Sequence, residues 1–232
     1  MKTELFVVSH KKLNNIYYPE RSFIYVGPKQ DEIKSINDYG DKSGISISER
    51  NFTYCECTAI YWLYKNFDCD YIGIEHYRRL FYSPLIKPVS KKYVEKKLKK
   101  YDFIVMINWL LPHKNKDQFI EAHDKEMYVA MEEAIKKLHP EYLPSFNKTM
   151  NQHHLSWCNM FITSKKHFNQ YCDFLFDILF EIERNITIPT DPYKRRIMGF
   201  ISERMLNIYL DYHSEYKVKQ CLVLPTKRYE KR

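Results

Sequence analysis

The chain has 232 residues, with 37 Lys and Arg against 29 Asp and Glu, a formal net charge of +8 and a pI near 9.0. That length suits one large α/β domain. Five Gly, ten Pro and no internal repeat exclude collagen-like, solenoid and low-complexity architectures. Aromatic residues make up 16% of the chain, including 20 Tyr, and interleaved basic and aromatic groups suit nucleic acids, nucleotide sugars and anionic membranes alike.

The first ten residues hold too short an apolar run for a signal peptide, and no window is long enough to span a bilayer, so the expectation is a cytoplasmic chain. Leu5 to Val8 reads as a first strand ending in Ser9-His10-Lys11, and Phe23 to Val26 as a second, ending at Gly27-Pro28. A loop spans Asp38 to Ser46. Ser48 then caps a predicted helix reaching about Asn66, on which Phe52, Glu56, Ala59, Ile60 and Leu63 share a face. Glu56 therefore interrupts an apolar stripe. An unpaired buried carboxylate is costly, so it needs a partner such as Arg78, Arg79 or a backbone amide, or a place in a cleft, and its expected role is to support the site from behind.

Next comes Asp70-Tyr-Ile-Gly-Ile-Glu-His-Tyr-Arg-Arg-Leu-Phe81, a predicted strand over Tyr71 to Ile74 that runs directly into Glu75, His76, Tyr77, Arg78 and Arg79. In open α/β sheets ligands bind at the carboxyl ends of strands, and guanidinium forks match phosphate oxygens. The segment reads as the rim of an anion-binding cleft, with a loop of structural ion pairs as the alternative. A Lys-rich helix from about Ser90 to Lys99 follows, then a strand over Phe103 to Met106 and a continuous helix over Asp117 to Leu138. Cys158 to Thr163 reads as a short strand. After Ser164, Phe168, Tyr171, Cys172, Leu175, Ile178, Leu179 and Ile182 recur at helical spacing and form a core stripe. A helix from about Gly199 to Tyr212 and a strand over Lys217 to Leu224 close the order, and Lys227, Arg228, Lys231 and Arg232 form a basic tail. Strands alternating with helices predict a mixed, largely parallel sheet flanked by helices.

The six cysteines, at 55, 57, 69, 158, 172 and 221, lack metal-site spacing and read as reduced packing residues. Asp68-Cys-Asp70 has the letters of a metal-binding pair but precedes its strand, at the end away from a cleft. Glu75 and His76 are better placed for Mg²⁺ or Mn²⁺, although a single carboxylate and an imidazole are a sparse donor set.

Four segments then match one pattern in order: Ile47 to Asn66, Asp70 to Arg79, Asn159-Met-Phe-Ile162, and Arg196-Ile-Met-Gly-Phe-Ile-Ser-Glu-Arg-Met205. The chain resembles the bacterial polysaccharide-synthesis family of domain of unknown function 4422, whose members look like glycosyltransferases. The resemblance implies a GT-A-like, Rossmann-like fold and a single domain over 1–232. It also implies transfer of a sugar, of the hexosyltransferase type, from a nucleotide sugar, expected to be UDP-linked, to a saccharide or lipid-linked saccharide in capsular or exopolysaccharide synthesis. Peripheral contact with the anionic inner membrane face follows, and no nucleic acid is expected as a partner.

On that reading Ser9, His10 and Lys11 begin the nucleotide pocket, and His76, Arg78 and Arg79 take the diphosphate in place of a metal. Glu203 is the expected base, with Asp191 in reserve, because its helix packs Ile201, Met205 and Ile208 elsewhere and leaves the carboxylate for a cleft. Tyr77, Trp157 and Asn159 are expected to contact the acceptor, and Arg204 to support Glu203. Two rival readings are a basic nucleic-acid-binding module without catalysis, and a degenerate transferase serving as an assembly partner.

Overall fold

The computed structural model describes residues 1–13 and 18–226; the basic tail from Lys227 onward lies outside the described residues. The chain opens with β1 (Thr3–Ser9), β2 (Ser22–Tyr25), a short α1 (Gln30–Ile33) and β3 (Tyr39–Gly40). Then come α2 (Asn51–Tyr54), α3 (Cys57–Asn66), β4 (Tyr71–His76), β5 (Arg79–Tyr82), α4 (Lys91–Leu98), β6 (Phe103–Met106) and β7 (Trp109–Leu110). The second half holds α5 (Asn115–His123), α6 (Lys125–Leu138), α7 (Leu143–Asn151), β8 (His154–Leu155), β9 (Phe161–Ser164), α8 (Lys165–Asn185), α9 (Ile197–Tyr212) and β10 (Val218–Pro225).

The sheet is evenly mixed rather than largely parallel. β3, β2, β1 and β4 run parallel in that spatial order, and β6 is parallel to β10. The pairs β4–β9, β6–β9, β4–β5 and β5–β10 are antiparallel. Because β4 pairs with both β5 and β9, strands β4, β5, β10, β6 and β9 close on themselves. Sequence alternation identified the longer elements but neither β5, whose hairpin with β4 reverses the chain, nor the reversed entry of β9, and these two strands set the antiparallel pairings.

Successive side chains of β1 point to opposite faces, as a strand requires. Phe6 and Val8 join the large core under α3, α6, α8 and α9, whereas Leu5 joins the interior of the closed strands with Phe81, Ile104, Ile162 and Val223. Gly73 permits this junction: a Cβ there would lie 2.6 Å from Leu5 Cδ2 and 3.0 Å from Ile162 Cγ1. The apolar stripe of α8 is buried as predicted, and Ser164 caps it by accepting from the His167 amide at 3.2 Å.

Two predicted helices are broken. The Ser48 helix divides at Cys55, which adopts φ 52° and ψ −126°, so Phe52 leaves the predicted face and is 53% exposed. Ser48 does not cap it; its hydroxyl donates to Asp41 Oδ1 at 2.6 Å. The Asp117 to Leu138 helix divides at Asp124, with φ 72°. No helix among the described residues is long and apolar enough to cross a membrane.

Candidate functional site

β2 leaves β1 toward one edge of the sheet and β4 flanks it on the other side, so the carboxyl ends of these parallel strands bound a crevice at the point where strand order reverses. Ligands of open α/β sheets sit at such points. A cleft of about 660 Å³ opens there, lined by Val8, Ser9 and His10 at the end of β1, Gly27 and Pro28 after β2, and His76 to Arg79 from the end of β4 to the start of β5. Asn51, Cys55 and Glu56 close one wall, and Arg195 and Arg196 before α9 close another. Gly27 turns the chain with φ 85°, and a Cβ there would lie 3.0 Å from Asn51 Oδ1.

The charge of this cleft is one-sided. Among the described residues, Lys29, Arg78, Arg79, Arg195 and Arg196 line it against a single carboxylate, Glu56. Tyr77 and Arg78 form a two-residue turn between His76 and Arg79, which pair across the β4–β5 hairpin. That turn projects both guanidinium groups, which are exposed. Arg78 lies over the Tyr77 ring at 5.1 Å, and Arg195 over Phe52 at 4.9 Å. Arg196 donates from Nε to Cys55 Sγ at 3.3 Å. Burial, then the fields of Lys11, Arg78 and Arg196, lower the His10 pKa. His10 sits edge-on to Tyr77 with centroids 5.3 Å apart.

Behind the cations lie two carboxylates. Cys55 packs against Gly199 of α9, with Sγ 3.2 Å from the position of a Cβ there. Glu203, one helical turn further along the same face, thereby comes beside Glu56. Arg204 Nη1 contacts Glu203 Oε2 at 3.1 Å, and the Cys158 backbone amide also donates to Glu203, yet burial still raises its pKa. Burial and then the charge of Glu203 push Glu56 up to about 8. The backbone around the pair is strained: Cys55, Cys158 and Asn159 all have positive φ, at 52°, 72° and 47°. Side chains carrying a Cβ adopt such values at a cost of order 1–3 kcal/mol each, and such strain concentrates at functional sites.

His76 lines the cleft but is not a free cation. Its Nε2 donates to the Cys158 carbonyl at 2.7 Å, and burial pushes the imidazole down to about 4. It anchors the strained loop beside Glu203. Ser9 is buried and its hydroxyl closes its own turn, donating to the Lys11 carbonyl at 2.7 Å. Lys11 is exposed at the rim, contributing field to His10.

Several expected residues lie elsewhere. Glu75 faces away from the cleft, fully buried, with Arg21 donating to both carboxylate oxygens at 2.8 and 3.1 Å and the Phe81 amide donating at 2.8 Å. The strand runs through His76, so Glu75 and His76 point to opposite faces and cannot hold one ion together. Asp70 Oδ2 accepts from the Lys2 amide at 2.6 Å at the far end of β4. Among the described residues no three His, Cys, Asp or Glu side chains converge in a metal-holding group. Glu75, taken up by Arg21, and His76, bonded to the Cys158 carbonyl, do not fit Mg²⁺ or Mn²⁺.

Asp191 is exposed and accepts from the amides of Tyr193 and Lys194 at 2.9 and 2.8 Å, capping the turn that carries Arg195 and Arg196. Asn159 is fully buried, accepting from Tyr171 at 3.1 Å and donating to Ser202 at 3.3 Å, so it is a core bond and not a surface for acceptor. Trp157 stacks on Arg204 at 5.0 Å. Arg204 is buried and also donates to Gln118 at 2.6 Å. Sequence reasoning missed Lys29, Arg195, Arg196 and Cys55. The run Lys194-Arg195-Arg196 directly before the Gly199 helix was the available signal for two of them.

The pattern of the family described as domain of unknown function (DUF4422) matches residues 4–215. A solved structure described as the apo form of WbbM, a bifunctional glycosyltransferase, superposes with a TM-score of 0.83 at 26% identity over 97% of this chain. The chain spans 45% of that protein's length. No curated protein matches.

Proposed function

Because the chain belongs to the DUF4422 family, we propose that it is a glycosyltransferase that holds the diphosphate of a nucleotide sugar in the cationic cleft and passes the sugar to a saccharide or lipid-linked saccharide. The observation that carries this reading is the cleft itself, with five cations against one carboxylate at the carboxyl ends of parallel strands.

A sugar leaves a nucleotide diphosphate only if the negative charge gathering on the departing oxygens is compensated. Unit charges 4 Å apart interact by about 4 kcal/mol at an effective dielectric constant of 20, so several fixed guanidinium groups supply what a metal supplies elsewhere. Arg78 and Arg79 are carried by a two-residue turn, and Arg195 and Arg196 by a capped turn, so local hydrogen bonds fix the backbone from which both pairs reach the cleft. Proton removal from the acceptor hydroxyl falls to the Glu56–Glu203 pair. Ser9, His10 and Tyr77 bound the side on which base and ribose would lie. We take residues 1–232 as one transferase domain of GT-A-like type, with a UDP-linked donor and with the basic exterior meeting anionic headgroups at the inner membrane face.

A panel of nucleotide sugars incubated with the protein tests this. The expected result is slow release of nucleoside diphosphate from one donor, accelerated by an acceptor saccharide. Neither binding nor release across the panel, with and without divalent cation, would remove the transferase reading.

A further inference from the structure

We propose that Glu56, which lines the cleft, is the group that takes the acceptor proton, and that Glu203, tied to Arg204 and to the Cys158 amide, is a positioning residue behind it. This rests on the transferase reading and divides the labour within its carboxylate pair.

The two carboxyl groups differ in what holds them. Glu203 has a side-chain exposure of 16%, contacts buried Arg204, and accepts from the Cys158 amide. Arg204 is itself fixed by the Phe200 carbonyl at 2.9 Å, by Gln118, and by the rings of Phe119 and Trp157. Glu203 is thus committed to partners on the far side. Glu56 lines the cleft, and the donor available to it is its own backbone amide. It therefore keeps lone pairs for a hydroxyl entering from the cleft.

The titratable and charged groups around Glu56 are Glu203 from α9, Cys55 and Cys57 from its own segment, Cys158 from the loop before β9, Tyr171 from α8, and Arg196 from the turn before α9. Glu203 and burial raise its pKa and Arg196 lowers it, and the upward effects win. Cys55 and Cys158 are pushed up to about 11 and about 12, so both remain neutral thiols beside it. A proton acceptor is most effective when its pKa lies near the working pH, and a second carboxylate alongside is a standard way to raise one. The strained values at Cys55 and Cys158 follow from this placement, since Cys55 ends α2 so that Glu56 turns into the cleft, and Cys158 offers both amide to Glu203 and carbonyl to His76.

In the step, a Glu56 carboxylate oxygen accepts the proton of the acceptor's hydroxyl as the hydroxyl oxygen bonds to the anomeric carbon. The bond from that carbon to the diphosphate oxygen breaks, and its electron pair leaves with the diphosphate between the arginines. The proton returns to solvent from Glu56.

The test uses the whole protein without ligand first. In infrared spectra recorded against pH, a protonated-carboxyl stretch should disappear as pH rises through about 8, be absent in Glu56→Gln, and disappear at lower pH in Glu203→Gln. With donor and acceptor, wild-type kcat/KM should rise with pH and level off above the same midpoint. Glu56→Gln should cut kcat by about 10²–10⁴-fold while retaining UDP affinity, and Glu203→Gln should shift the inflection downward. A wild-type midpoint in Glu203→Gln, or wild-type turnover in Glu56→Gln, would overturn the assignment. If the infrared band behaves as described but no nucleotide sugar is turned over, the pair stands and the transferase reading, with the base role, falls.

Discussion

At the scale of single residues, adjacent positions of β4 do opposite jobs. Glu75 is buried against Arg21 and His76 reaches the cleft, because a strand alternates faces. The sequence showed the charged cluster plainly, and period 2 would have separated the two had the strand been read as far as His76. Breaking a buried ion pair leaves an uncompensated charge, so Arg21→Ala should cost about 3–5 kcal/mol in urea unfolding. His76 gives a pH prediction. Its imidazole titrates near 6.5 when unfolded and at about 4 when folded, so the unfolded chain binds more protons between those values and stability falls as pH drops through that window. His76→Asn should flatten that part of the stability curve, measured by urea midpoints from pH 7 downward.

At the scale of elements, the periodic segments were legible and their interruptions were not. The α8 stripe and its Ser164 cap follow directly from spacing and capping chemistry. The breaks at Cys55 and Asp124 carry no Gly or Pro, so nothing local announces a positive φ there. They exist because tertiary packing overrides propensity: Cys55 closes on Gly199, and Asp124 receives Lys194 Nζ at 2.8 Å. The meeting of β1, β4 and β9 depends on a small residue at 73. Gly73→Ala overpacks that junction and should destabilise the fold by about 1–3 kcal/mol, seen as a lowered urea midpoint at unchanged slope.

At the scale of the molecule, the +8 charge became informative once the topology brought Lys29, Arg78, Arg79, Arg195 and Arg196 into one concavity. Arg78 and Arg79 were readable from their strand end. Arg195, Arg196 and Lys29 come from segments more than a hundred residues apart, and only the fold joins them. Such a site should lose affinity for nucleoside diphosphate as salt rises, because exposed charges are screened over about 8–10 Å at 0.1–0.15 M. The central claim is tested most directly by calorimetric titration of UDP into the wild type and into Arg78→Ala/Arg79→Ala, each with and without chelator. Saturable wild-type binding that survives the chelator is predicted. The double variant, with its circular dichroism unchanged, should bind at least about a hundredfold more weakly, since hydrogen bonds to charged groups contribute about 1.5–3 kcal/mol each. Wild-type affinity in that variant would contradict the account and place the diphosphate outside this cleft.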